Sequence, residues 1–97
     1  NDGIAPWNGE RIISSQAATY TKSVMMTTGL YTESGTYSVQ IGVPTKSGVG
    51  GGLVAAAPSH GGIGIFSPAL NRVGNSVAGL ALLEMISREL KLDIFKY

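Results

Sequence analysis

Apolar and polar residues recur with helical spacing between residues 15 and 28. The positions that fall near one face of such a helix are Ala17, Tyr20, Val24, Met25 and Thr28. Ser14 precedes the segment, and its hydroxyl can accept a hydrogen bond from the first turn, while Gly29 follows it as a typical C-terminal stop. The pattern predicts a helix over residues 15–28, preceded by an extended loop or turn over residues 1–11.

A period of two follows in residues 37–43. The apolar members of this alternation are Tyr37, Val39, Ile41 and Val43. Alternation of this kind predicts a strand. The segment is short and two glycines, Gly35 and Gly42, lie at its ends, so a single turn of helix remains open as an alternative.

Two further strands are predicted over residues 51–57 and 62–66, which are rich in apolar residues. Residues 58–61, Pro-Ser-His-Gly, form a connection of suitable length between them, so the two strands should pair as an antiparallel hairpin. The chain is therefore expected to be an α+β protein in which helices pack on antiparallel strands.

The last predicted element is a helix that opens at Asn75 and continues to about Leu90. We expect the Asn75 side chain to cap its first turn. The helix is apolar over a wide arc, which predicts burial against a sheet on one face and against another element on a second face. Glu84 and Arg88 are spaced to form an i,i+4 ion pair on a solvated strip.

Composition limits the classes of function. The 97 residues are 43% hydrophobic and 13% charged, and so low a charge content indicates a piece of a larger protein with some of its surface covered. A net charge of +1 without a basic run argues against nucleic acid or an anionic membrane as a partner. The absence of cysteine excludes disulfides, thiolate zinc sites and a thiol nucleophile, and is compatible with the cytoplasmic location that we expect.

Candidate chemistry is concentrated around Lys46, Ser47 and Gly48, which are followed by Val49 and three more glycines. This segment offers a cation, a hydroxyl and backbone that a substrate can approach closely. Taken alone, it would more often be a glycine-rich turn.

Four segments of the chain together carry a family resemblance: residues 31–35, 46–52, 66–70 and 74–79. In this order they resemble the C-terminal part of the bacterial-type, serine-dependent glutaminases of the β-lactamase/penicillin-binding-protein superfamily. The resemblance implies a β-lactamase-like α+β fold, of which residues 1–97 would be the C-terminal portion of one catalytic domain. It also slightly favours a helix over a strand near residue 37.

The resemblance also implies roles for single residues. Tyr31 matches the family's catalytic tyrosine, Lys46, Ser47 and Gly48 match its Lys-Thr/Ser-Gly segment, and the backbone amide of Val49 matches an oxyanion-hole donor. The family's Ser-x-x-Lys nucleophile motif does not occur in the sequence. The nucleophile is therefore expected upstream, and the chain alone should be inactive.

The implied reaction is hydrolysis of L-glutamine to L-glutamate and ammonia through an acyl-serine intermediate, without a cofactor or metal, in a homodimer or homotetramer. Thr32 replaces the acidic residue that the family usually has after the tyrosine. Two alternatives remain: a non-catalytic ligand-binding fragment or degenerate homologue, and a β-lactamase or peptidase of the same superfamily. Asn75 and Ser76 could contact a ligand, but helix capping is the simpler interpretation. His60, in a turn without an acidic neighbour, is not expected to be catalytic.

Overall fold

Three α-helices and one small sheet form the computed structural model, which describes residues 1–97. The elements in chain order are α1 (Ser15–Thr28), a 3-10 turn (Tyr31–Glu33), α2 (Ser34–Gln40), β1 (Thr45–Ser47), β2 (Gly52–Ala57), β3 (Gly61–Phe66) and α3 (Val77–Leu90). The predicted α+β class is confirmed. None of the helices has the length and apolar character needed to cross a membrane.

The sheet is antiparallel with the strand order β1-β2-β3. The predicted hairpin is β2 and β3, which pair from Gly52 opposite Phe66 to Ala57 opposite Gly61. Strand β1 adds to the other edge of β2, where Lys46 lies opposite Val54. With only three residues, β1 is too short to show a period, so the alternation of apolar residues does not reveal it.

The hydrophobic core lies between one face of the sheet and helix α3. Its fully buried members are Leu30, Ile41, Val43, Leu53, Ala55, Ala57, Leu80, Leu83 and Leu92. On β2 the buried residues alternate with exposed or half-buried ones, as expected for a sheet with one covered face. On α3 the sheet-facing side is buried as predicted, whereas Val77, Met85 and Leu90 on other sides are exposed in this chain.

The helix ends follow ordinary capping chemistry. The Ser14 hydroxyl accepts a hydrogen bond from the Ala17 amide at 3.0 Å, so α1 begins as predicted. The cap of α3 is Ser76 instead of Asn75, since the Ser76 hydroxyl accepts from the Gly79 amide at 3.0 Å. The predicted Glu84–Arg88 pair is present at 3.3 Å and exposed, where such a pair contributes about 0.3–0.5 kcal/mol.

The strand predicted for residues 37–43 is wrong, because the segment contributes to helix α2. The inward positions around this helix are Ser34, Tyr37, Ser38 and Ile41, which are buried or half-buried and follow helical spacing. Two of them are serines, so hydrophobicity alone does not show the helical face. The Ser38 hydroxyl donates to the carbonyl of Met26 in α1 at 2.6 Å, which satisfies one of these polar groups.

Gly29 ends α1, but for a reason other than the one expected. Its backbone is right-handed (φ −62°), so no left-handed stop is formed. A methyl group at this position would overlap the Thr45 carbonyl oxygen, because the α1 terminus lies directly against β1. The Gly29 carbonyl accepts a hydrogen bond from the Ser47 amide at 2.9 Å.

We expect Gly29→Ala to lower the free energy of unfolding of the complete protein by about 1–3 kcal/mol, the usual cost of overpacking. Gly35→Ala is the matched control, because a methyl group there would meet no atom and alanine should stabilise helix α2 by up to about 1 kcal/mol. Urea denaturation measures both changes. Equal stability of the two variants would contradict the close approach of Gly29 to β1.

Candidate active site

Tyr31 has a left-handed backbone conformation, with φ +58°. This conformation costs a residue with a side chain about 1–2 kcal/mol, and strain of this kind is concentrated at functional sites in proteins. The residue begins the 3-10 turn Tyr31–Glu33. The residue is 38% exposed, so a ligand can reach it.

The Ser34 side chain closes the turn that carries Tyr31. Its hydroxyl accepts from the Leu30 amide at 2.9 Å and donates to the Tyr31 carbonyl at 2.7 Å. Both bonds lie within residues 30–34 and join the two ends of the turn that contains the strained Tyr31 backbone. Ser34 thus has a structural role in holding this turn.

Lys46 lies next to the Tyr31 ring, with its ammonium nitrogen 4.8 Å from the ring centroid. A cation at this distance over an aromatic ring is attracted by the negative face of the ring. The Lys46 ammonium donates to the Ser47 carbonyl, and the Tyr31 phenol donates to the same oxygen at 3.5 Å. Two of the predicted site residues are therefore neighbours at the end of β1.

Ser47 contributes a different atom from the one expected. Its carbonyl oxygen faces Tyr31 and Lys46, whereas its hydroxyl is buried and has no hydrogen-bond partner in the chain. The alternation of a strand explains this difference, because Lys46 is exposed and Ser47 on the opposite face is buried. A role for the Ser47 hydroxyl in substrate binding stays a prediction.

The glycine-rich segment forms a β-turn between β1 and β2. The Gly51 amide donates to the Gly48 carbonyl at 3.0 Å, and the Gly48 amide donates to the Gly52 carbonyl at 2.9 Å. The amide of Val49, inside the turn, donates to no acceptor in the chain, and this residue is 73% exposed. The turn therefore presents an unused N–H group to solvent.

Gly74 links this turn to Tyr31. A Cβ atom placed on Gly74 would lie 3.8 Å from both Cε2 of Tyr31 and Cγ1 of Val49, so the two predicted residues flank one backbone position. Gly74 has φ +106°, which favours glycine. By contrast, a Cβ atom at Gly48 or Gly50 would meet nothing in the chain.

One titratable group is clearly perturbed. Burial raises the pKa of the Tyr37 phenol, and the carboxylates of Glu33 and Glu84 raise it further. Tyr37 packs against the core and does not join Tyr31 and Lys46. No group of three His, Asp or Glu side chains is placed to hold a metal ion, and His60 lies exposed in the hairpin turn with its Nδ1 2.9 Å from the Pro58 carbonyl.

Hydrogen bonds that the sequence pattern did not predict connect Glu33, in the turn that carries Tyr31, with two asparagines. Glu33 accepts hydrogen bonds from the side chains of Asn71 and Asn75 at 2.8 and 2.9 Å. These partners are 38 and 42 residues apart from Glu33 in sequence. No local spacing connects them, so only the folded chain reveals the cluster.

Comparison with known proteins gives a consistent result. The family model described as Glutaminase matches residues 1–95. Glutaminase 1 of Clostridium perfringens is 58% identical over 96 residues, which are 99% of this chain and 31% of that protein. Glutaminase of Clostridium tetani is 53% identical over 95 residues, 98% of this chain and 31% of that protein. The chain thus spans about a third of the length of these relatives.

Solved structures agree with the sequence matches. A Bacillus glutaminase crystallised in 4.3 M NaCl superposes with a TM-score of 0.92 at 41% identity, over 97% of this chain and 33% of that one. A Bacillus subtilis glutaminase in covalent complex with 5-oxo-L-norleucine, formed by reaction with 6-diazo-5-oxo-L-norleucine, gives a TM-score of 0.89 at 41% identity, over 97% of this chain and 34% of that one. These are β-lactamase-like domains, so the fold predicted from the resemblance is confirmed.

Proposed function

Since the chain belongs to the glutaminase family, we propose that it is the C-terminal part of a catalytic domain that hydrolyses L-glutamine to L-glutamate and ammonia. The main support is that the Tyr31 ring and the Val49 side chain both lie next to Gly74, and that the Val49 amide donates to no acceptor in the chain. Besides a nucleophile, amide hydrolysis requires a group that transfers protons and a hydrogen-bond donor for the developing oxyanion. The Bacillus subtilis relative that reacts covalently with a norleucine reagent supports a nucleophilic mechanism.

In the proposed mechanism, a serine outside this chain attacks the side-chain amide carbon of glutamine. The carbonyl oxygen becomes negatively charged, and the Val49 N–H donates a hydrogen bond to it. A donor that is already oriented and needs no reorganisation is worth several kcal/mol at this step. Because a Cβ atom at Gly48 or Gly50 would meet nothing, the turn leaves room for substrate beside the Val49 amide.

Tyr31 is proposed to transfer the serine proton to the departing ammonia. Lys46, 4.8 Å from the ring, can stabilise negative charge that develops on the phenol during this transfer. Loss of ammonia leaves an acyl-serine ester, and water then attacks this ester by the same route. The ester hydrolysis releases glutamate and restores the serine hydroxyl.

The complete protein is proposed to be a cytoplasmic homodimer or homotetramer. Exposed apolar side chains on α3, among them Val77, Met85 and Leu90, support burial of this surface against the remainder of the protein or a second subunit. Analytical ultracentrifugation of the complete protein measures its oligomeric state. A monomer at all concentrations would contradict this part of the proposal.

The proposal that the nucleophile lies outside residues 1–97, while the other catalytic groups lie within them, can be tested directly. Residues 1–97 contain no Ser-x-x-Lys motif, so the purified chain should release no ammonia from glutamine, whereas the complete protein should. A mock purification controls for host enzyme, and nitrocefin tests the alternative of a β-lactamase. Ammonia release by the chain alone would contradict the claim that the nucleophile lies outside residues 1–97. Hydrolysis of nitrocefin but not of glutamine by the complete protein would contradict glutamine as the substrate.

A further inference from the structure

Asn75 is completely buried, with 0% of its surface exposed, although it directly precedes helix α3. Its side chain does not cap that helix, because Ser76 does so. Instead, the Asn75 side-chain amide donates to the Leu30 carbonyl at 2.9 Å and to the Glu33 carboxylate at 2.9 Å. These two acceptors lie on either side of Tyr31 in sequence.

The geometry of these bonds fixes the orientation of the Asn75 amide. Both partners are acceptors, so the side-chain nitrogen with its two N–H groups must point at them. Neither alanine nor a single hydroxyl can supply two donors in this place. Asn75 therefore binds the turn that carries Tyr31 through Leu30, which lies 45 residues earlier in the sequence.

Asn71 connects Glu33 with the backbone around Gly74. Its side-chain nitrogen donates to the Glu33 carboxylate at 2.8 Å. Its side-chain oxygen accepts from the amides of Val73, Gly74 and Asn75 at 3.0, 3.1 and 3.1 Å. One hydrogen-bonded cluster thus holds both the Tyr31 turn and Gly74, the position that Tyr31 and Val49 flank.

Tyr31 keeps a left-handed backbone conformation only if contacts with the surrounding residues offset the energetic cost of that conformation. The Ser34 bonds are local to the turn and can move with it, whereas the Asn75 bonds connect it to α3. We propose that Asn75 is a positioning residue, which holds the Tyr31 turn and so sets the position of the phenol in the active site. This inference rests on the proposed glutaminase function.

Asn75→Ala in the complete protein should reduce kcat for glutamine by about 10- to 100-fold, the range expected for a small misplacement of a reacting group. KM should change little, because the variant removes no proposed contact to the ground-state substrate. Ser87→Ala is the matched control. Ser87 is also buried, but it lies near the other end of α3, where its hydroxyl donates to the distant carbonyl of Ile41 at 2.7 Å. This variant should therefore lower the melting temperature and leave kcat unchanged.

Variants at Glu33 test the other end of the network and remain informative where Asn75→Ala does not fold. Glu33 is only half-buried. Glu33→Gln keeps an acceptor oxygen for both asparagines and should retain kcat, whereas Glu33→Ala removes it and should lower kcat in the same direction as Asn75→Ala. Equal kcat in these two Glu33 variants and the parent would overturn the proposal.

Amide hydrogen exchange provides a second readout that does not depend on turnover. The Glu33 amide donates to the Leu30 carbonyl at 3.2 Å, and the Ser34 amide donates to the Tyr31 carbonyl. Both amides should exchange faster in Asn75→Ala than in the parent and Ser87→Ala proteins. If the unmutated protein does not hydrolyse glutamine, the proposed function fails while this measurement still tests the positioning. Unchanged exchange in folded Asn75→Ala, or a kcat equal to that of Ser87→Ala, would refute the role of Asn75.

Discussion

Tyr31→Phe in the complete protein should lower kcat for glutamine by about a hundredfold or more, which is the usual contribution of general acid–base catalysis. The substitution removes one oxygen and keeps the ring. Within this chain that oxygen makes one hydrogen bond, a long one of 3.5 Å to the Ser47 carbonyl, so its loss should affect stability little. The ring can still lie beside the Lys46 ammonium, and the turn keeps its backbone bonds.

Tyr20→Phe is the matched control for this experiment, because Tyr20 is an exposed tyrosine on α1 outside the proposed site. The Tyr20→Phe substitution removes the same oxygen and should leave both kcat and the melting temperature unchanged. If Tyr31→Phe also retained near-normal kcat with an unchanged melting temperature, Tyr31 would be a packing residue. The proposed proton transfer would then need another group.

Elements whose buried face is apolar were predictable from the sequence. The β2–β3 hairpin is an example, since Leu53, Ala55 and Ala57 supply its buried face. Helix α2 was not predictable by periodicity, because two of its inward positions are serines whose hydroxyls bind backbone groups of residues 26–31. Their polarity concealed the helical period, and the apolar residues that remained happened to alternate.

Some features of the candidate site were also predictable from the sequence, and others were not. Tyr31, Lys46 and Val49 were found through the family resemblance. In the fold, Tyr31 lies beside Lys46, and Tyr31 and Val49 both lie next to Gly74. The orientation of Ser47 depends on which face of β1 is covered, which a three-residue strand does not reveal in sequence. Asn75 followed the pattern of a helix cap, and only its contacts with the Tyr31 turn distinguish it from one. Long-range hydrogen bonds between polar residues leave no periodic pattern in the sequence.

The β-turn geometry makes Val49 well suited to a backbone test. The Val49 side chain is exposed, and its amide binds no group of the chain. Proline at this second position of the Gly48–Gly51 turn would therefore break no hydrogen bond within this chain, and proline is favoured at this position of common β-turns. Glycine precedes it at residue 48, which reduces the steric conflict that proline causes with the preceding residue.

Val49→Pro should consequently fold but lose the proposed oxyanion donor, at a cost of about 2.7–4 kcal/mol in the activation free energy, or a fall in kcat of about 10²–10³-fold. Val49→Ala keeps the amide and should have nearly normal kcat, which makes it the control for loss of the side chain. Circular dichroism and thermal melting of both variants establish that the fold is retained. A folded Val49→Pro protein with the parental kcat would show that the oxyanion is stabilised elsewhere and that the glycine-rich turn serves only to connect β1 and β2.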